Sequence, residues 1–444
     1  YLNMARAWAF NLDYNFIAVR PVLLSFIAAG FLKISQTEFL PRLLILFFSI
    51  FSVLGMYYLG KELYNKKIAL LATFLMSIFY LNLFFSFRLL VELPALACFT
   101  FAGFFFWKYF KENSIKSLYF AVIITAIGIL FKLSTALILF VVLIYILIVD
   151  KLKCLRKKEY WIAALIFLLI LSPYIIWGYS QFNGFVITQA GTWNAATENK
   201  ISTGINVLVN YLTSFPTYLS WPLLVIFLLG LLSFYRLFFG FDLLLKKANK
   251  TLKRDLFIFL LFLIPLVMAS FSVSHNENRY ILNAFPAIFI VISLMIFTIF
   301  KLIKQKSKVF AIIFLILFII FAFNFQFNAA DSLIKGKLNT YSQVKGAGLW
   351  INQNSNPSDL VATSSAPQIN YYSEREVVGF PGTSKEFETQ LELNSNIRFM
   401  VISSMEQSPE WVYNYPVENS LVPVQAYFAD LEKKQPILII YQLK

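Results

Sequence analysis

Four places in this chain set ionisable or polar side chains in strongly apolar surroundings. The first is Ser272–Pro286, SVSHNENRYILNAFP, which holds the only histidine, His275, with Glu277, Arg279 and Tyr280. Apolar runs, Leu256–Phe271 and Ala284–Phe300, lie on either side. Charge at such a boundary is costly unless paired or solvated, and it marks function by default. Arg279 beside His275 and Glu277 offers bidentate recognition of a phosphate. A hydrogen-bonded structural role is the plainer account of a lone histidine.

The second place is Arg88-Leu-Leu-Val-Glu92-Leu-Pro94. Glu92 can be read as a carboxylate that caps the helix Pro94 begins, or as a general base or metal ligand. The third is Lys132 at the tip of a short hairpin, either a snorkelling ammonium or a point charge for phosphate. The fourth is the stretch Tyr179–Phe215, with Gln181, Gln189, Trp193, Asn194 and Glu198, which reads as a long loop of the kind that forms lids.

These residues sit in an unusual background. Of 444 residues, 59% are hydrophobic, 18% aromatic and only 14% charged, and the mean hydropathy is +0.70. A soluble domain carries about 25% charged residues, so the chain belongs to the polytopic membrane class. Cys98 and Cys154 offer neither a disulfide framework nor a zinc spacing.

The elements that must position the polar residues follow from the apolar runs. Short segments at Tyr1–Phe10 and Arg20–Ile34 read as interfacial helices, the second opened by Arg20-Pro21. Ten spans are expected: Leu40–Gly60, Ile68–Phe87, Leu93–Tyr109, Leu118–Phe131, Thr135–Val149, Trp161–Gly178, Pro216–Phe239, Leu256–Val273, Tyr280–Phe300 and Val309–Phe327. The fourth and fifth form a tight hairpin around Lys132-Leu133-Ser134. None of the spans reads as a broken helix.

Loop charge gives the orientation. Lysines and arginines crowd into alternate loops, at 61–67, 108–116, 151–158, 246–254 and 301–308. The intervening loops carry only Arg88, Lys132, Lys200 and Arg279. The positive-inside rule places the crowded set in the cytoplasm. The net charge of +15 is therefore an orientation signal and not a footprint for nucleic acid. The four polar places all fall on the outer face.

From Asn328 the composition changes, with 12 acidic against 9 basic residues through Lys444. Helical and strand patterns alternate there: VKGAGLWINQN, LVATSS, EVVGFP, SKEFETQLELN, RFMVISS and PILIIYQL. Such alternation predicts a small α/β domain, structural or acceptor-contacting in role. The expected division is 1–327, an all-α membrane domain with interfacial helices at 1–34, and 328–444, an extracytoplasmic α/β domain. Nucleotides are cytoplasmic, so the energy-rich substrate at the outer face is a lipid-linked phosphate. Its chemistry needs a cation for the leaving phosphate and a carboxylate to take a proton from an acceptor hydroxyl.

The order of motifs then becomes familiar. Y-L-x-x-A-R-A, R-P-V-L, P-R-L-L, G-K-E-L-Y-N-K-K, R-x-x-V-E-L-P, F-K-L-S-T-A-L and H-x-E-x-R-Y-x-L-x-x-x-P follow one another. The chain resembles the GT-C membrane glycosyltransferases of the dolichyl-phosphate-mannose mannosyltransferase and aminoarabinose transferase group. The resemblance covers about three quarters of the chain. It implies a polyprenyl-phosphate sugar donor, transfer on the outer face of the plasma membrane to a protein, lipid or glycan, and inversion at the sugar carbon. It also implies that Glu92 is the family's second acid, Lys132 its hairpin lysine and Arg279-Tyr280 its R-Y signature. Glu92 is thus the expected catalytic residue. Arg279, Tyr280 and Lys132, with His275, Glu277 and Arg88 from the polar places above, are the expected substrate-binding residues.

The family's principal acid lies in a D-E-x-x-Y pattern whose tyrosine matches Tyr1. That acid is therefore expected upstream of Tyr1, with Asp13 a poor substitute. The chain departs from the family at Asn283, where proline is common, and at Arg20-Pro21, which replaces Pro-Pro. A divalent cation, Mg or Mn, is left open as a cofactor. The other readings are a transporter or flippase for lipid-linked sugars and a catalytically inactive scaffold; the first would call for internal repeats or helices broken at mid-membrane.

Overall fold

The computed structural model describes residues 1–12, 20–151, 156–184, 200–235, 237, 249–271, 277–338, 340–428 and 435–443. Contacts divide the chain into two compact units, essentially Asn3–Ser332 and Leu333–Lys444.

The first unit is helical. Helices α1 (Leu2–Phe10) and α2 (Leu23–Ile34) come together through Ala5, Ala9, Ala28, Ala29 and Leu32, beside Trp8. Small residues allow that close approach. Pro21 does not open α2, as the sequence suggests; it lies two residues ahead of the first helical residue.

Helices α3 (Phe39–Leu63), α4 (Lys66–Ile78), α5 (Tyr80–Phe85), α6 (Glu92–Glu112), α7 (Ile115–Phe131) and α8 (Leu137–Val149) follow. They are succeeded by α9 (Lys158–Phe182), α10 (Lys200–Leu219), α11 (Trp221–Leu232), α12 (Lys250–Phe271), α13 (Phe285–Lys306) and α14 (Lys308–Lys337). Among the described residues, six helices are long and apolar enough to cross a membrane, and the bent pair α10–α11 makes a seventh. The all-α polytopic membrane class with a small α/β tail is borne out.

Three sequence expectations need correction. The span Ile68–Phe87 is interrupted at Phe79, whose ψ of 122° leaves the helical region and separates α4 from α5. The stretch Tyr179–Phe215 is not one long loop, because its residues from Lys200 onward belong to α10. The span expected at Pro216–Phe239 does not start at Pro216, which lies inside α10. The chain turns by 117° at Ser220 and only then enters α11.

Two helices are thus broken, contrary to the expectation of continuous spans. Ser220 adopts φ 73° and ψ 156°, a region that a side chain disfavours. A single glutamine closes both interruptions. Gln326 on α14 is 2% exposed; its Oε1 accepts from the Tyr80 amide at 3.0 Å and its Nε2 donates to the Tyr218 carbonyl at 2.9 Å. Backbone groups freed by a helix break inside a membrane protein need such partners.

The second unit contains a five-stranded sheet in the order β2-β1-β3-β5-β4. Its strands are β1 (Leu360–Thr363), β2 (Glu376–Val378), β3 (Ile397–Ser403), β4 (Pro423–Phe428) and β5 (Pro436–Gln442). The first three are parallel, and β5 runs antiparallel to β3 and β4. Alternation along the strands builds two apolar layers. Val361, Phe399, Val401, Leu438 and Ile440 face Val344, Ala347 and Ile351 of α15 (Ser342–Asn354). Leu360, Ala362, Ile397 and Met400 face Phe387 of α17 (Ser384–Leu393) and Val412 and Tyr415 of α18 (Glu410–Glu418). Helix α16 (Ala366–Ser373) links β1 to β2. Helices α16 and α18 and strand β4 were not legible in the sequence, where Pro367, Pro416 and Pro423 hide them.

Candidate active site

Glu92 is the first residue of α6 and is 4% exposed. The N-cap of α6 is Val91, so Glu92 is not the capping residue, although its charge stands in the first turn, where the helix dipole favours it. Its Oε1 instead receives the Lys132 ammonium at 3.1 Å, and the Arg279 guanidinium lies 3.9 Å from the same oxygen. Its Oε2 is buried without a hydrogen-bond partner among the described residues.

Lys132 reaches this carboxylate because of a tight corner. The Lys132 amide donates to the Gly128 carbonyl at 2.8 Å, and Lys132 itself is extended. A 3-10 turn over Leu133–Ala136 then leads into α8, and the Thr135 hydroxyl also donates to Gly128, at 3.1 Å. A Cβ on Gly128 would collide with Thr135 and would stand 2.7 Å from Cys98 Cβ on α6. The bare glycine lets α7 close onto α6, and that approach brings Lys132 over the start of α6.

Arg279 comes from the turn before α13. Its Nε is ion-paired with Glu277, and a terminal nitrogen donates to the Tyr280 hydroxyl at 3.4 Å. The Tyr280 ring carries both cations, with Lys132 Nζ 5.3 Å and Arg279 Cζ 5.2 Å from its centre. Burial opposes the Arg279 charge, but Glu92, Tyr280 and Glu277 outweigh it and hold the guanidinium protonated beyond its usual range. Burial pushes the Tyr280 phenol up, against the pull of Arg279.

The turn is held by residues that sequence reasoning missed. Tyr211 on α10 donates to the Glu277 carbonyl at 3.0 Å, and Tyr218 donates to Asn278 Oδ1 at 2.9 Å. Tyr1 also belongs here. Its phenol is raised first by burial and then by Glu92, and it feels Arg279 and Tyr280 as well, which places it beside the cluster. Arg20 stacks over its ring at 6.0 Å.

Of the sequence candidates, Glu92, Lys132, Arg279, Tyr280 and Glu277 converge. Arg88 does not join them: its guanidinium lies 3.9 Å from the centre of the Phe84 ring, and burial followed by the nearby Arg42 lowers its pKa. His275, Asp13, Cys154, Gln189, Trp193, Asn194 and Glu198 lie outside the described residues.

Several similarities bear on this arrangement. Residues 19–177, which contain Glu92 and Lys132, match the family model described as dolichyl-phosphate-mannose-protein mannosyltransferase. That match takes in 159 of the 444 residues. No curated protein matches the chain by sequence. The fold is similar to ArnT from Cupriavidus metallidurans bound to undecaprenyl phosphate, with TM-score 0.63 and 11% identity over 99% of this chain and 92% of that one. The apo state of ArnT gives TM-score 0.65, also at 11% identity, over 99% and 91%. The archaeal oligosaccharyltransferase AglB of Archaeoglobus fulgidus, in complex with an inhibitory peptide and a dolichol-phosphate, gives TM-score 0.58 at 13% identity. That match covers 90% of this chain and 64% of AglB. The GT-C resemblance read from the motifs is thereby borne out as a shared fold.

Proposed function

We propose that this chain is an integral-membrane glycosyltransferase that moves a sugar, a hexose in our reading, from a polyprenyl-phosphate carrier to an acceptor on the extracytoplasmic face of the plasma membrane. One observation carries the proposal: three segments distant in sequence deliver one buried carboxylate and two cations to a single point. Two family features support it: the matched region contains Glu92 and Lys132, and ArnT and AglB share the fold with polyprenyl phosphates bound.

The roles follow from the charges. Lys132 and Arg279 hold the donor phosphate and stabilise the negative charge that grows on it as the bond from the sugar carbon breaks. Glu92 Oε1 keeps both cations in place. Its unpartnered Oε2 takes the proton from the acceptor hydroxyl as the oxygen attacks the sugar carbon. Glu277 balances Arg279, and the Tyr280 ring lies beside both cations.

The described residues do not form a donor set for a divalent cation. Among the described residues no three His, Cys, Asp or Glu side chains converge, and Glu92 already shares one oxygen between two cations. AglB has been solved in complex with Zn and sulfate, but no step here runs through a metal. The broken helices do not favour a carrier, because Gln326 ties both breaks to the protein.

The test is transfer in liposomes from dolichyl- or undecaprenyl-phosphate mannose, using the full chain. Glu92→Ala and Arg279→Ala are expected to abolish it. Turnover near that of the wild type in both variants overturns the assignment.

A further inference from the structure

The second unit carries a polar cluster that the membrane site does not use. From β1 the chain moves outward to β2, then crosses back to place β3 on the other flank of β1. The loops that leave the carboxyl ends of β1 and β3 therefore diverge, and open α/β sheets bind their ligands at such a point. Here those loops are 364–365 and 404–409.

The cluster is made of hydroxyls around one carboxylate. Ser365, fully buried, is hydrogen-bonded through Oγ to the Glu406 carboxylate. Ser364 and Ser408 share a hydrogen bond of 2.8 Å between their hydroxyls. The Ser408 amide donates to the Tyr413 hydroxyl at 3.3 Å. Tyr341 lies within electrostatic reach of Glu406, and burial, with Glu406 next, raises its phenol. The Tyr341 backbone sits at φ 66°, in the left-handed region, so local structure is strained to present this residue. Both tyrosine rings are exposed, Tyr413 at 48% and Tyr341 at 36%.

We infer that the ends of β1 and β3 form a carbohydrate-binding site in the second unit, with Glu406 at its centre and Ser364, Ser365, Ser408, Tyr341 and Tyr413 around it. The ligand class follows from the donors and acceptors. Among the described residues the Glu406 carboxylate meets the Ser365 hydroxyl and acts on the Tyr341 phenol, and no lysine or arginine among them pairs with it. A carboxylate at the centre of the cluster disfavours an anion such as phosphate. One carboxylate with neutral hydroxyls is a poor donor set for a hard cation, which takes six to eight oxygens. An ammonium offers donors only and leaves the serine and tyrosine O–H groups unmatched.

A sugar fits each of these limits. Its hydroxyls both donate and accept, as the serines and tyrosines do, and neighbouring hydroxyls can donate together to Glu406. The exposed tyrosine rings can lie against the C–H face of the sugar ring. On the proposed transferase function, the occupant is the glycan portion of the acceptor, so the site deepens that reading without depending on it for binding.

Saturation-transfer NMR on the full chain in nanodiscs, with neutral methyl glycosides of glucose, galactose, mannose and N-acetylglucosamine, tests the site directly. At least one glycoside is expected to bind, and Glu406→Gln to weaken it at least tenfold. Ser364→Ala, which leaves Glu406 and Ser365 intact, is expected to weaken it two- to fivefold and guards against a folding defect in the first variant. Glu92→Gln is expected to leave binding unchanged. The inference is overturned if no glycoside binds the wild type, or if binding survives Glu406→Gln. Binding at Glu406 in a protein that shows no transfer from the lipid donor sinks the transferase reading and leaves this site standing.

Discussion

Lys132 Nζ lies 3.1 Å from Glu92 Oε1, although forty positions separate the two residues. The Glu92 side chain is almost wholly buried, so this pair cannot be treated as a surface salt bridge of little consequence. Removing one partner of a buried pair leaves an uncompensated charge and costs about 3–5 kcal/mol. Lys132→Ala is therefore expected to lower the thermal midpoint as well as activity. Transfer from the lipid donor should fall by about 10²–10³-fold, the usual loss when one transition-state donor is removed. The double variant Lys132→Met with Glu92→Gln should recover stability and stay inactive, which separates the two roles.

Tyr218→Phe removes the hydrogen bond to Asn278 and keeps the ring. A hydrogen bond of this kind contributes about 1 kcal/mol, so the turn that carries Arg279 should loosen without unfolding. The expected result is a roughly fivefold rise in KM for the donor at nearly constant kcat. Tyr211→Phe should act in the same direction, and steady-state kinetics on both variants checks it.

Ser220 lies at a positive φ where glycine is at home. Strain of this kind costs about 1–3 kcal/mol, and Ser220 Oγ is buried without a hydrogen-bond partner among the described residues. Ser220→Gly should therefore raise the thermal midpoint, whereas Ser220→Val should lower it.

The site has a definite pH signature. Burial raises Tyr1 and Tyr280, and neighbouring carboxylates raise Arg279 despite its burial. Between the ordinary tyrosine value of about 10 and the raised native values, the unfolded chain has released protons that the native state keeps, so stability falls as pH rises. The Arg279 contribution is fully present below its ordinary value and is lost only at still higher pH. Thermal unfolding should thus lose stability above about pH 10 through these groups, while they contribute no change between pH 7 and 9.

The sequence reveals the ingredients of the site more clearly than their assembly. Glu92, Lys132 and Arg279 stand out because charge at the end of an apolar run is expensive. Their meeting depends on the close approach at Gly128, which no pattern of hydropathy reports. Arg88 looked equivalent to Glu92 because it is four positions away, yet α6 begins at Glu92 and the preceding turn sends Arg88 toward Phe84. Tyr211 was passed over inside an assumed loop and Tyr218 inside an assumed span. The buried positions Val207, Tyr211, Phe215 and Tyr218 fall at spacings of four, four and three, a helical stripe. Asn210, Thr213, Ser214 and Thr217 between them diluted that signal. The small α/β unit was easier to read, since strands alternate visibly, and prolines hid only its short elements.

Gln326 has a thermodynamic consequence beyond filling two gaps. Its amide holds the amide nitrogen that follows one helix break and a carbonyl just before the other. Neither break can open alone without stripping a buried polar group of its partner, so the two should fray as a single cooperative step. Hydrogen exchange at Tyr80 should therefore report on the segment that carries Tyr218, and through Asn278 on the arginine turn. A Gln326→Leu protein should exchange faster at Tyr80 and bind the donor more weakly, although among the described residues the Gln326 amide is bonded to Tyr80 and Tyr218 and not to Lys132, Arg279 or Glu92.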